Sequence, residues 1–210
     1  MSPKSFKLFR DVVGALVVAQ EPININTLAS LLYPEGSQFQ EFTSLIRRTI
    51  LNRLQAVLVV PGVNSADHAA DAQPIQFIHT SFVDYLTDET QCESRLLVHP
   101  PEPHELLAVG CFRNMDSLKR NMCDLDPCLL NSEVKNFDQR VWERILPALR
   151  YACVHIAGHV SQTNAGNAHI RGLIARFARE RLIYWLECLS LLGKAHEGVG
   201  MVGLIEEWLK

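Results

Sequence analysis

Few side chains in this sequence stand where they could do chemistry, and the first is His79, in the run Phe77-Ile78-His79-Thr80-Ser81-Phe82. A neutral imidazole at the end of an apolar strand offers one donor and one acceptor, enough to hold a phosphate oxygen, and it titrates near neutral pH. The competing reading is a histidine that caps the next helix or is satisfied within a core, because buried polar groups usually find backbone partners. Ser81, His79 and Asp84 supply the residue types of a nucleophilic triad, but a hydrolase also needs an oxyanion hole and a strained elbow. No Gly-x-Ser-x-Gly occurs, and that chemistry is set aside. His155 and His159 are spaced to share one side of a helix, yet the glutamate of a zinc-protease helix is missing between them and no third ligand stands out. Cys123 and Cys128 would make half a zinc site only beside a second pair of suitable spacing, and there is none, so no metal is expected. Arg47 and Arg48 lie in the helix with which winged-helix regulators read DNA, which makes them candidates for nucleic-acid or partner contact.

The elements that must position these residues follow from periodicity. Phe6, Phe9, Val13, Leu16 and Val17 predict one face of a helix over residues 5 to 19. Asn26 or Thr27 is expected to cap a second helix over Leu28, Leu31 and Leu32, which Pro34 and Gly36 end. A third helix, about Phe39 to Leu54, should bury Phe42, Leu45, Ile46, Thr49, Ile50 and Leu54 and present Arg48, Asn52 and Gln55 on a mildly basic side. Apolar runs at Val57 to Val60 and Ile75 to Ile78 read as a hairpin, with Pro61 to Pro74 as its wing. The Ala/Asp content of that wing favours disorder. Thr80 is expected to cap a short helix ending by Asp88.

Together these patterns give a mainly α chain. Residues 1–90 form a small winged-helix domain with a two-stranded hairpin, 91–103 a proline-bearing linker, and 104–210 an α-helical array. In the array, Leu107, Cys111, Met115 and Leu118 line one helix. Trp142, Ile145, Leu149, Cys153, Ile156 and Val160 line a second stretch, which Pro147 either kinks or restarts. Ile170 through Leu189 mark the longest helix, closed by Gly193, with a loose turn from Gly198 to Gly203 and a final helix from Leu204. The array is expected to stop while still apolar, at Ile205, Trp208 and Leu209, leaving a binding surface around Trp208.

Composition limits the classes of function. The 210 residues suffice for one or two domains with a real core, and 48% hydrophobic with 20% charged is ordinary for a packed chain. A net charge of −3 and a pI near 6.2 provide no global attraction to nucleic acid or acidic membrane. No run approaches the length of a membrane span and the start is not a signal peptide, so a soluble, cytoplasmic protein is expected. The six cysteines are scattered through apolar helical patterns and read as buried free thiols. There is no Gly-x-x-x-x-Gly-Lys-Ser/Thr loop, and the glycines from Gly198 follow a helix where a dinucleotide fingerprint would follow a strand. ATP hydrolysis by this chain alone is therefore not expected.

Six segments in order carry a family resemblance: Arg10 to Gly14, Pro74 to Leu86, Leu118 to Leu125, Asn131 to Val134, Leu149 to Cys153 and Leu182 to Leu192. With them the chain resembles the region just after the nucleotide-binding domain of fungal NACHT-type STAND ATPases, relatives of the NOD-like receptors that often end in WD-type propellers or other repeats. The resemblance implies a winged-helix domain and a helical domain that close over a bound nucleotide, with His79 matching the histidine that contacts the β-phosphate of ADP in the closed state. It implies no cofactor for this chain alone and ADP or ATP only when a nucleotide-binding domain is joined to it. The implied partners are that NACHT domain, in cis or in trans, and a repeat domain or other proteins; nucleic acid is disfavoured and no membrane is implied. The chain departs from the family in lacking the phosphate loop, the magnesium-binding acidic residue and the repeats, and is expected to be a fragment. His155-Ile156 also replaces an aromatic pair, and the stretch from Ser161 to Ala168 is short. The function so implied is a non-catalytic regulatory and interaction module, with a nucleic-acid-binding winged helix or a stand-alone helical scaffold as alternatives.

Overall fold

The computed structural model describes residues 3–33, 39–59, 73–126 and 128–210. It is mainly α, with ten α-helices and one two-stranded antiparallel hairpin among the described residues. The chain divides into two compact units, Met1–Gly110 and Cys111–Lys210.

In the first unit, α1 (Pro3–Val18) turns Leu8, Val12, Val13, Ala15 and Leu16 into the core. The cap of α2 (Ile25–Leu32) is Asn24, neither Asn26 nor Thr27: its Oδ1 accepts from the Thr27 amide at 2.8 Å, while Thr27 itself is buried. Asn24 is free to do this because its extended backbone bridges Pro74, which leaves the side chain over the first turn. The expected stop at Pro34 and Gly36 lies outside the described residues.

The helix expected to run to Leu54 is shorter. α3 (Phe39–Thr49) gives way to a 3-10 turn over Leu51–Arg53, and the tighter winding lets the consecutive Ile50 and Leu51 both become fully buried. Leu45, expected in the core, is 40% exposed, and Phe42 packs half-buried and tilted against Tyr33 with ring centroids 3.7 Å apart.

The strands are also shorter than their apolar runs: β1 (Leu58–Val59) pairs with β2 (Gln76–Phe77) in the register Leu58 to Phe77 and Val59 to Gln76. The flanking backbone is used elsewhere. The Val57 amide closes a turn on Leu54, and the Ile75 amide donates to the Ile23 carbonyl at 2.9 Å. Residues 23–24 thus lie along the free edge of β2. The expected disordered wing falls almost wholly on residues 60–72, outside the described set.

His79, not Thr80, caps α4 (Thr80–Thr87). The segment expected as a linker is packed: Leu97 and Val98 are buried, and Pro101 and Pro103 stand in the first turn of α5 (Pro101–Met115), where the missing amide protons would have had no helical acceptor.

In the second unit, α6 (Phe137–Arg144) is separate from α7 (Pro147–Ser161), because Pro147 opens a fresh helix. Trp142, expected on the apolar stripe, is 69% exposed, its ring covered by the Arg150 guanidinium at 3.5 Å. α7 buries Leu149, Ala152, Cys153, Ile156 and Val160 at its centre. The long helix expected next is two, α8 (Ala168–Glu180) and α9 (Leu182–Leu191), broken at Arg181 where the backbone leaves the helical region. The break aims Phe177 edge-on at both Phe112 and Trp185, each 5.8 Å away, while Trp185 donates to the Cys153 carbonyl at 2.9 Å. Gly193, at φ +71, lets the Lys194 amide return to Leu189 and closes α9.

The loose turn expected at Gly198 to Gly203 is instead the interior of α10 (Ala195–Leu209). Gly198 is buried because a side chain there would press on Leu189 at 3.0 Å. Trp208, expected to mark an open surface, is 7% exposed and donates to the Thr163 carbonyl at 3.0 Å. Large apolar side chains are instead exposed elsewhere on α9 and α10, at Ile183, Val199 and Val202.

Candidate functional site

His79 follows β2 in an extended conformation (φ −141, ψ 137) and is exposed. Its position is fixed from both sides. The Ile78 amide donates to Val57 at 2.9 Å, and Phe77 and Phe82 pack with ring centroids 6.0 Å apart, while Leu86 anchors α4 in the core. Nδ1 of His79 accepts from the Ser81 amide at 3.2 Å. An accepting Nδ1 puts the ring proton on Nε2, so the imidazole presents an N–H beside the amide end of a helix, where partial positive charge favours an anion. The bond from Ser81 to the imidazole is made by its backbone amide.

Arg47 and Arg48 occupy the last turn of α3, a favourable place for cations beside helix carbonyls. Arg47 is half-buried and Arg48 exposed. The exposed side of α3 also carries Glu41, Ser44 and Leu45, so it is mixed in character where a polar, mildly basic side was expected. Neither arginine is brought to His79 by any described contact.

His159 is fully buried, and its Nε2 lies 2.8 Å from the Tyr151 hydroxyl two turns back along α7. The His155 ring packs tilted against Tyr151 with centroids 4.7 Å apart. Among the described residues no group of three His, Cys, Asp or Glu side chains is placed to hold a metal. Of the six free thiols, Cys111, Cys123, Cys153 and Cys188 are buried, whereas Cys92 is half-exposed and Cys128 exposed, so only four follow the expectation of burial. Desolvation pushes the Cys111 thiol far above its ordinary range, which makes it inert. Cys153 and Cys188, on facing α7 and α9, perturb one another, raising the Cys153 thiol and lowering that of Cys188.

The structure adds a cleft of about 520 Å³ within the first unit, between α1 and the start of α5, lined in part by Phe6 and the segment Arg10 to Gly14. Phe6, Val98, Pro103 and Leu106 give it an apolar floor, and Lys7, Arg10, Asp11, Glu102 and Glu105 a charged rim. Its signal was available in α1, where Lys7, Arg10, Asp11 and Gly14 recur at helical spacing on the side away from the apolar stripe.

The chain is similar to the vegetative incompatibility protein HET-E-1 of Podospora anserina, at 23% identity over 223 residues. The match covers 97% of this chain but 15% of the length of that protein. No family model and no solved structure matches. The comparison supports a distant relationship. No helix among the described residues is long and apolar enough to cross a membrane.

Proposed function

We propose that this chain is a nucleotide-state latch, a non-catalytic regulatory and interaction module that serves a NACHT-type nucleotide-binding domain in cis or in trans. The observation that carries this reading is His79, exposed and held by the Ser81 amide with its Nε2 proton beside the start of α4. A phosphate of ADP bound in a neighbouring domain is the kind of acceptor such a group suits. The order of the first unit also supports it: helix, short edge segment, two helices, then a hairpin is the order of a winged helix. The similarity to a vegetative incompatibility protein along nearly the whole chain supports a place in a larger signalling protein.

The latch works through differential affinity. A nucleotide that meets His79 only in the closed arrangement stabilises that arrangement by the worth of the contact, about 1.5–3 kcal/mol for a hydrogen bond to a charged group, or roughly 10- to 100-fold. The test replaces the matching segment of the HET-E-1 protein with this chain and compares it with a His79→Asn form, which keeps a capping side chain for α4 but loses the imidazole. ADP dissociation measured by fluorescent-nucleotide chase is expected to quicken by about that factor. Equal dissociation from the two proteins would end the latch reading.

A further inference from the structure

The core of the second unit holds a pair of nucleophilic side chains that the latch does not use. Cys153 on α7 and Cys188 on α9 are both fully buried free thiols. Trp185 fixes the two helices against each other at this level, since its Nε1 donates to the carbonyl of Cys153 itself at 2.9 Å. Cys188 follows Trp185 by three residues, so one helical turn brings its side chain to the same face of α9, over the same part of α7. The two thiols accordingly perturb each other: Cys188 together with burial holds the Cys153 thiol up, whereas Cys153 holds the Cys188 thiol below its ordinary value. Burial pushes up the other two core thiols, Cys111 and Cys123.

This asymmetry sets the order of an oxidation by hydrogen peroxide, which is small enough to enter when α9 opens locally. The Cys188 sulfur, the readier to ionise, attacks one peroxide oxygen. An S–O bond forms, the O–O bond breaks, and the other oxygen leaves as water with the thiol proton. The Cys153 sulfur then attacks the sulfenic sulfur so formed. The S–S bond closes, the S–O bond breaks, and hydroxide leaves with the Cys153 proton as a second water. Two thiols thus give up two electrons, and one peroxide becomes two waters. A disulfide demands closer sulfurs than a pair of free thiols. α9 is suited to that last approach, because it is a helix of ten residues set between the break at Arg181 and the turn at Gly193.

We infer that Cys153 and Cys188 are a redox-responsive modification site, joined by a hydroperoxide into a disulfide that staples α7 to α9 and released again by a dithiol. The inference stands on the packing of α7 on α9 and is independent of His79. The experiment uses the full chain carrying Cys92→Ser and Cys128→Ser, which removes the two thiols outside the core. The reduced protein is treated with hydrogen peroxide, alkylated in denaturant and digested with trypsin. Cleavage after Arg150, Arg171, Arg181 and Lys194 yields peptides 151–171 and 182–194, each with one cysteine. The expected product is these two peptides joined and two hydrogens lighter than their sum, at least about tenfold more abundant than any other cystine. The oxidised protein should melt about 5–10 °C higher, and dithiothreitol should reverse the gain. The proposal is overturned by the absence of the joined peptide, or by a yield no greater than that from the same chain oxidised in urea. A melting temperature that stays level or falls as the joined peptide accumulates would show that the bond distorts the fold, and would equally overturn it.

Discussion

Gly110→Ala tests how closely α2 and α5 must approach for the first unit to exist. A Cβ at Gly110 would fall inside the Leu31 carbonyl group, 2.8 Å from its carbon and 3.0 Å from the Leu31 Cα. These are backbone atoms of a helix whose neighbouring side chains are fully buried, so no rotamer change relieves the clash and the helices must separate. Overpacking of this kind costs about 1–3 kcal/mol or somewhat more, and the better helix propensity of alanine returns about 1 kcal/mol. Taking the upper end of the range gives a net loss of about 2–3 kcal/mol, a fall in melting temperature of about 5–10 °C for a chain of this size. Gly200→Ala is the matched control: it lies inside α10 with nothing within 4 Å of the added carbon, and should gain about 1 kcal/mol. Circular dichroism melts of the two forms should therefore move in opposite directions, with hydrogen exchange in Gly110→Ala quickened over Ile25–Leu32. A Gly110→Ala protein that melts at or above the parent would refute the close crossing.

Two further substitutions test the buried polar groups. Tyr151→Phe removes the hydroxyl beside His159 and leaves a buried ring nitrogen without that partner, so a loss of about 1–3 kcal/mol is expected in urea unfolding; no loss would mean His159 is satisfied without Tyr151. Burial lowers the pKa of His104 below its unfolded value of about 6.5. The unfolded chain therefore binds more protons between the two values, so stability is complete above the unfolded pKa and falls as pH drops toward the folded one. Urea midpoints at pH 7.5 and 5.5 should show that fall in the parent and a smaller one in His104→Gln; an equal fall in both would assign it to other groups.

The sequence alone determined where most helices lie, because burial of a face imposes a period that survives in the residue order. The hairpin pairing of the two apolar runs was legible this way, whereas of the expected α1 stripe only Val13 and Leu16 are buried and Phe6, Phe9 and Val17 are half-buried, and Pro147 read equally as a kink or a fresh start. His79 was legible as a residue worth attention, with capping as one of two readings, but Thr80 was expected to take the cap itself, because capping depends on backbone angles at a single position. Three features were decided only by tertiary structure. Glycines that read as a turn became the interior of α10, since a glycine can serve either purpose and packing on Leu189 selects the helix. A continuous apolar pattern from Ile170 to Leu189 was broken at Arg181, since helical periodicity cannot register a change of axis that keeps both faces buried. The α1 and α5 cleft joins residues 6–14 to residues 98–106, and its lining belongs to neither segment alone. Periodicity reports which side of an element is covered; what covers it is set by contacts between segments distant in the chain.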